Sequence, residues 1–152
     1  GISLALKTKS NNKDVFVITG DGELHEGANW EAIMFASHHK LDNLNLIVDN
    51  NRISMLDHTD NIVSHVDLKT RLSSFGWDCE EVDGHDVIAL RDLFFKKKNS
   101  KNGKPKAIIA STLKGRGIPG LQDAPLSHII NPKPELIKDL LNNLSDDYLE
   151  GN

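Results

Sequence analysis

The chain has 152 residues, 38% of them hydrophobic and 26% charged, with a net charge of −4. That length supports one domain with a proper core, and the acidic balance argues against a nucleic-acid surface built on bulk positive charge. A single cysteine excludes an intrachain disulfide, and no apolar run approaches the roughly 18 residues that span a bilayer.

In chain order, residues 15–18 (Val-Phe-Val-Ile) and 44–48 (Leu-Asn-Leu-Ile-Val) are short, rich in apolar residues and bounded by polar residues or glycine. Both read as buried parallel strands. Residues 28–40 between them are long enough for a crossover helix, with Trp30, Ile33, Met34, Ala36 and Ser37 at roughly helical spacing. Further on, 67–75 and 86–97 read as helices, 77–82 and 107–111 as strands, and 134–144 as a closing helix. The expected fold is α/β, a parallel central sheet with helices on both faces. The domain is expected to span 1–152.

A strand, a helix and a parallel strand bring both strand carboxyl ends to one side of a sheet, where ligands of open α/β folds bind. The first strand runs into Gly20-Asp21-Gly22 and the second into Asp49-Asn50-Asn51. Asp21 and Asn51 are thirty residues apart in sequence and are expected to share one coordination sphere. Asp21 can give a carboxylate oxygen, Asn51 an amide oxygen and Ile53 a backbone carbonyl, a donor set suited to Mg2+ that also takes phosphate oxygens. Gly20 and Gly22 let backbone N–H groups approach those phosphates. Asp-Gly and Asn-Asn are each ordinary turn dipeptides. The functional reading rests on the pair, each directly after an apolar strand.

These residues resemble the thiamine diphosphate motif, and the flanks resemble transketolases. The resemblance lies in Gly20-Asp21-Gly22-Glu23-Leu24-His25-Glu26-Gly27, Trp30-Glu31-Ala32, His39-Lys40-Leu41-Asp42-Asn43-Leu44, Ser74-Phe75-Gly76-Trp77, Val82-Asp83-Gly84-His85-Asp86 and Thr112-Leu113-Lys114-Gly115-Arg116-Gly117. It runs from Gly1 to about Leu141. Deoxyxylulose-phosphate synthases and the decarboxylating subunits of 2-oxo acid dehydrogenases share the Gly-Asp-Gly and Asn signals but differ in the Glu23 to Ala32 flank.

The resemblance implies the amino-terminal, diphosphate-binding part of a transketolase, of the kind encoded as two half-length subunits. It implies Asp21, Asn51 and the Ile53 carbonyl as ligands of Mg2+ (or Ca2+ or Mn2+), and Gly20, Asp21, Gly22, Glu23, Asn51 and Ile53 as contacts to thiamine diphosphate. Glu26 matches a glutamate near the subunit interface concerned with proton communication between active sites; as a residue alone it also reads as a helix-start carboxylate favoured by the dipole. His128 matches a histidine facing cofactor and substrate, although Leu126-Ser127-His128-Ile129-Ile130 departs from the family's usual context. Gly1 to Lys7 resembles the middle of a family helix, so the domain is expected to be truncated at its amino terminus.

The implied reaction moves a two-carbon ketol unit from a ketose to an aldose. The glutamate that activates the cofactor's aminopyrimidine lies on another domain in this family, so the expected partner is a carboxy-terminal half or subunit, in a dimer or heterotetramer working on phosphorylated sugars. No nucleic acid or membrane is expected as a partner. Alternatives are another thiamine diphosphate enzyme, of the deoxyxylulose-phosphate synthase type or a specialised sugar-biosynthesis transketolase, and a non-catalytic assembly half.

Other signals point elsewhere less well. Gly115 to Gly120 spells GxGxxG, but the Leu121-Gln122-Asp123-Ala124-Pro125 that follows is turn-like, unlike a dinucleotide site. The lysines from Lys96 to Lys106 are interrupted by Asn, Ser and Gly without stacking aromatics. The seven histidines have no zinc spacing and Cys79 has no CxxC partner. His85 has no evident role beyond shaping a turn. With no basic, apolar leader, a cytoplasmic setting is expected.

Overall fold

The computed structural model describes residues 1–100, 102–118, 121–124, 127, 129 and 131–142. Four parallel strands form one sheet: β1 (Val15–Gly20), β2 (Leu44–Asn50), β3 (Asp78–Asp83) and β4 (Lys106–Ser111), in the order β1-β2-β4-β3. Helix α1 (Ile2–Thr8) precedes the sheet. A 3₁₀ turn (Gly22–His25) and helix α2 (Gly27–His38) link β1 to β2. Helices α3 (Thr59–Val63) and α4 (Leu68–Ser74) lie between β2 and β3, α5 (Val87–Asn99) between β3 and β4, and α6 (Pro134–Asn142) after β4. Gly20 pairs with Asp49 across β1 and β2, and Asn50 with Ser111 across β2 and β4, so three strands end on one line.

Alternation along each strand divides its side chains between the two faces. On one face Leu46, Val48, Cys79, Ala107 and Ile109 join Ile33 and Ala36 of α2, Leu68 and Leu72 of α4, and Trp77 in a single buried cluster. The Trp77 indole N–H donates to the Ile33 carbonyl at 3.0 Å, tying α2 to the start of β3. On the other face α5 packs beside the sheet, with Phe94 edge-on to Phe16 at 6.3 Å. Lys97 of α5 is buried there and pairs with Asp78 and, at 3.0 Å, with Glu80. Asp67 and Asp86 cap α4 and α5 by accepting from the Thr70 and Ala89 N–H groups, contacts worth about 1 kcal/mol each.

One expectation needs correction. β1 is an edge strand rather than a buried one: Phe16 is 56% and Ile18 72% exposed. Its apolar sequence resembles a central strand, but among the described residues only β2 pairs with it, and α5 leaves part of that face as an open groove lined by Phe16, Ile18, Ile47, Leu90 and Phe95. In α2, Met34 lies within the expected helix and is 50% exposed. Helix α3 and the 3₁₀ turn are additions to the expected elements, being too short to carry a periodic signal. No described helix is long and apolar enough to cross a membrane.

Candidate cofactor site at the carboxyl edge of the sheet

β1 delivers Asp21 one residue beyond its end, and the turn that follows is closed by its own backbone. The Asp21 N–H donates to the Asp49 carbonyl at 3.0 Å, and the Leu24 N–H to the Asp21 carbonyl at 3.0 Å. The Glu23 carboxylate accepts from the Gly20 N–H at 2.9 Å, so Glu23 shapes the turn that carries the aspartate. Glu26 is the N-cap residue of α2 without a side-chain capping bond, leaving its carboxylate free of the helix.

Asp21 is only 1% exposed. Its Oδ1 accepts from the Gly22 N–H at 3.0 Å, while Oδ2 is buried with no hydrogen-bond partner among the described residues. Burial raises the carboxyl above its ordinary range, outweighing the nearby Gly22 and Arg52 N–H groups and the Thr59 hydroxyl, which favour the ionised form. A buried, half-satisfied carboxylate is costly by itself, by about 1–3 kcal/mol or more. A cation beside Oδ2 removes that cost, so the residues present fit a divalent metal.

β2 supplies the opposite wall. The Asn51 amide donates to Asp49 Oδ2 at 3.3 Å, and its oxygen accepts from the Ile53 N–H at 2.9 Å, leaving one lone pair on that oxygen. Asp49 also accepts from the Thr112 hydroxyl, which joins this wall to the loop after β4. The Leu113 N–H donates to His85 Nε2 at 2.8 Å, so His85 tethers the same loop. Gly84 permits that approach, since a Cβ there would meet the Thr112 methyl at 2.4 Å.

One cavity of about 350 Å³ is lined by Gly20, Asp21, Gly22, Glu23, Glu26, Asn51 and Ile53, together with Ser54, Met55 and Lys114. Seven of the eight expected site residues therefore meet; the eighth, His128, lies outside the described residues. Lys114 brings a cation suited to phosphate. It went unassigned in the sequence, although it stands three residues past the end of β4 on the edge where ligands of such sheets bind. Two more residues were missed behind the turn: His25, and the buried His65, whose imidazole burial holds below its usual range. No group of three or more His, Cys, Asp or Glu side chains able to hold a metal occurs among the described residues, so a cation here would draw on the single Asp21 carboxylate with amide, carbonyl and ligand oxygens.

The family profile "Transketolase, thiamine diphosphate binding domain" matches residues 7–144. The chain belongs to the transketolase thiamine diphosphate-binding family. It is 35% identical over 147 residues to one of the subunits of the apulose-4-phosphate transketolase of Actinobacillus succinogenes, covering 97% of this chain and 52% of that one. Transketolase-like protein 2 of Mus musculus is 48% identical over 115 residues, 72% of this chain and 17% of its own. The chain thus spans about half of the first relative and under a fifth of the second. Among solved structures, a transketolase variant from Pichia stipitis superposes with a TM-score of 0.78 at 28% identity, covering 94% of this chain and 22% of that one. The Campylobacter jejuni transketolase gives 0.75 at 28% identity, covering 93% and 22%. The transketolase fold of the sheet agrees with the parallel α/β architecture expected from the sequence.

Proposed function

We propose that this chain is the cofactor-anchoring part of a transketolase, binding thiamine diphosphate through a divalent cation, Mg2+ in the first instance. The observation that supports it best is the meeting of Asp21, Asn51, Ile53 and Lys114 around one cavity, with a buried Asp21 oxygen lacking a partner among the described residues. In this reading Asp21, the Asn51 amide oxygen and the Ile53 carbonyl hold the metal. Gly22 and Lys114 meet the diphosphate, and Glu26 faces a second subunit. When bound, thiamine diphosphate would supply the carbon nucleophile and electron sink that ketol transfer requires. This chain's residues fix the cofactor's charged end, and His128 stands as a candidate for the substrate side.

The assembled enzyme, with a carboxy-terminal half or subunit in a dimer or heterotetramer, transfers a two-carbon ketol unit between phosphorylated sugars. The Actinobacillus relative, itself one subunit of its enzyme and matched over 97% of this chain, favours a division into two subunits and a specialised sugar as substrate. The 152-residue chain by itself is expected to show no turnover.

Calorimetry with thiamine diphosphate, with and without Mg2+, tests the reading on the chain alone and mixed with a carboxy-terminal transketolase half. Metal-dependent binding is expected in the mixture, and metal-independent binding or none at all in either sample would reject the anchor.

A further inference from the structure

Behind the Asp21 turn, two imidazoles cross between the same two segments in opposite senses. His65, just after α3, reaches the Asp21 carbonyl through Nε2 at 2.8 Å. His25, at the end of the 3₁₀ turn, reaches the Val63 carbonyl through Nε2 at 2.9 Å. The rings stack with centroids 4.7 Å apart and planes 27° from parallel, and His65 is only 6% exposed. Both acceptors are carbonyls, so both rings must donate from Nε2–H.

The bond from His65 falls on one particular peptide unit. The Asp21 C=O and the Gly22 N–H belong to the same rigid plane. His65 holds the oxygen side of that plane, and the nitrogen side holds Asp21 Oδ1 at 3.0 Å. Rotation of this peptide would swing the carboxylate with it. Oδ2 itself has no hydrogen-bond partner among the described residues, so its direction is set by this plane together with the nearby Arg52 N–H and Thr59 hydroxyl. Metal ligands need placement to within about 0.5 Å, and partners behind the ligand supply it.

We propose that His25 and His65 form a reciprocal brace that locks the Asp21–Gly22 peptide and so aims the Asp21 carboxylate at a divalent cation. His65 is the direct positioning residue. His25 keeps the α3 segment, and with it His65, against the turn. The inference rests on the reading of Asp21 as the metal anchor.

The test uses the full chain with His65→Leu and His65→Gln, the glutamine amide being able to donate from near the Nε2 position. Nitrogen-15 NMR of the wild type should show His65 as the Nε2–H tautomer. Amide exchange at Gly22 and Leu24 should accelerate about tenfold or more in His65→Leu and return toward wild type in His65→Gln, with the Ile109 amide in β4 unchanged. Mn2+ titrated in the presence of thiamine diphosphate, with the carboxy-terminal half added, should bind about tenfold more weakly to His65→Leu and recover in His65→Gln. An Nδ1–H tautomer, unaltered exchange at the turn, or equal Mn2+ affinity in wild type and His65→Leu would overturn the brace. Failure of the wild type to bind Mn2+ and cofactor would instead reject the anchor reading, and the brace would then stand or fall on tautomer and exchange alone.

Discussion

Gly22 lies directly against Ser54: a Cβ built on Gly22 would sit 3.3 Å from the serine hydroxyl and 3.5 Å from its Cα. The two residues form facing walls of the proposed cofactor cavity, one from each strand end. Gly22→Ala should therefore cost little in stability while narrowing the entry for phosphate. Binding of thiamine diphosphate with Mg2+ should weaken by about tenfold, about 1.4 kcal/mol. Thermal melting of the free protein, measured alongside calorimetry, separates the two effects.

Asp21→Asn should divide stability from binding more sharply. The substitution removes a buried charge whose Oδ2 has no partner among the described residues, so the ligand-free protein should melt at the same temperature or higher. Metal-dependent cofactor affinity should fall by about a hundredfold, because the only carboxylate of the proposed shell is gone. Unchanged affinity would remove Asp21 from that shell. Asn51→Ala should weaken binding in the same sense but less, since a neutral amide oxygen is lost.

Lys114→Met keeps the length of the side chain and removes its charge. Affinity for thiamine diphosphate should drop by about tenfold and become less sensitive to salt, because a cation–phosphate attraction open to solvent is screened. Affinity for unphosphorylated thiamine should not change. An equal loss for both ligands would show that Lys114 shapes the loop without meeting the diphosphate.

The Lys97 cluster sets an acid limit on stability. Burial pushes the Asp78 carboxyl up, but the Lys97 and Asn102 hydrogen bonds outweigh it and hold the group below its ordinary range. The Lys96 hydrogen bond does the same for Glu80. A carboxylate depressed by folding contributes stability above its unfolded pKa, near 4, and that contribution is lost as the pH falls through the folded value. Urea midpoints should therefore hold from about pH 7 to 5 and decline below about pH 4, with the decline shallower in Lys97→Met. A slope identical in both proteins would count against the cluster.

Cys79 is 7% exposed, and burial pushes its thiol up to about 11. It should resist iodoacetamide at about pH 8 in the folded protein and react once the chain is unfolded. Rapid labelling of the native state would mean that β3 opens readily.

Much of this arrangement could be read from local signals. Gly20-Asp21 and Asn50-Asn51 each follow an apolar run, and parallel pairing of Gly20 with Asp49 brings their ends together. Helices α4 and α5 begin one residue after Asp67 and Asp86, where capping aspartates mark a start. What stayed hidden depends on contacts distant in sequence. The composition of Val15-Phe16-Val17-Ile18 is that of a covered strand, and only the strand order shows its outer edge unpaired among the described residues. His25 and His65 are forty residues apart in sequence, on a turn and a loop without periodicity, so neither pointed to the other. His85 has a role only because the loop after β4 folds back on it.

Among the described residues, the strand that carries Asp21 is bonded to a neighbour on one side only, whereas β2 and β4 are flanked on both. Its amides should be among the first in the sheet to exchange with solvent, and breathing there reaches the aspartate within one residue. A cation bridging Asp21 and Asn51 would join the loose rim to the interior strand β2. Ligand binding should then show itself less as a rise in global melting temperature than as selective quieting of Val15 to Gly20, so that cofactor and rim rigidify together.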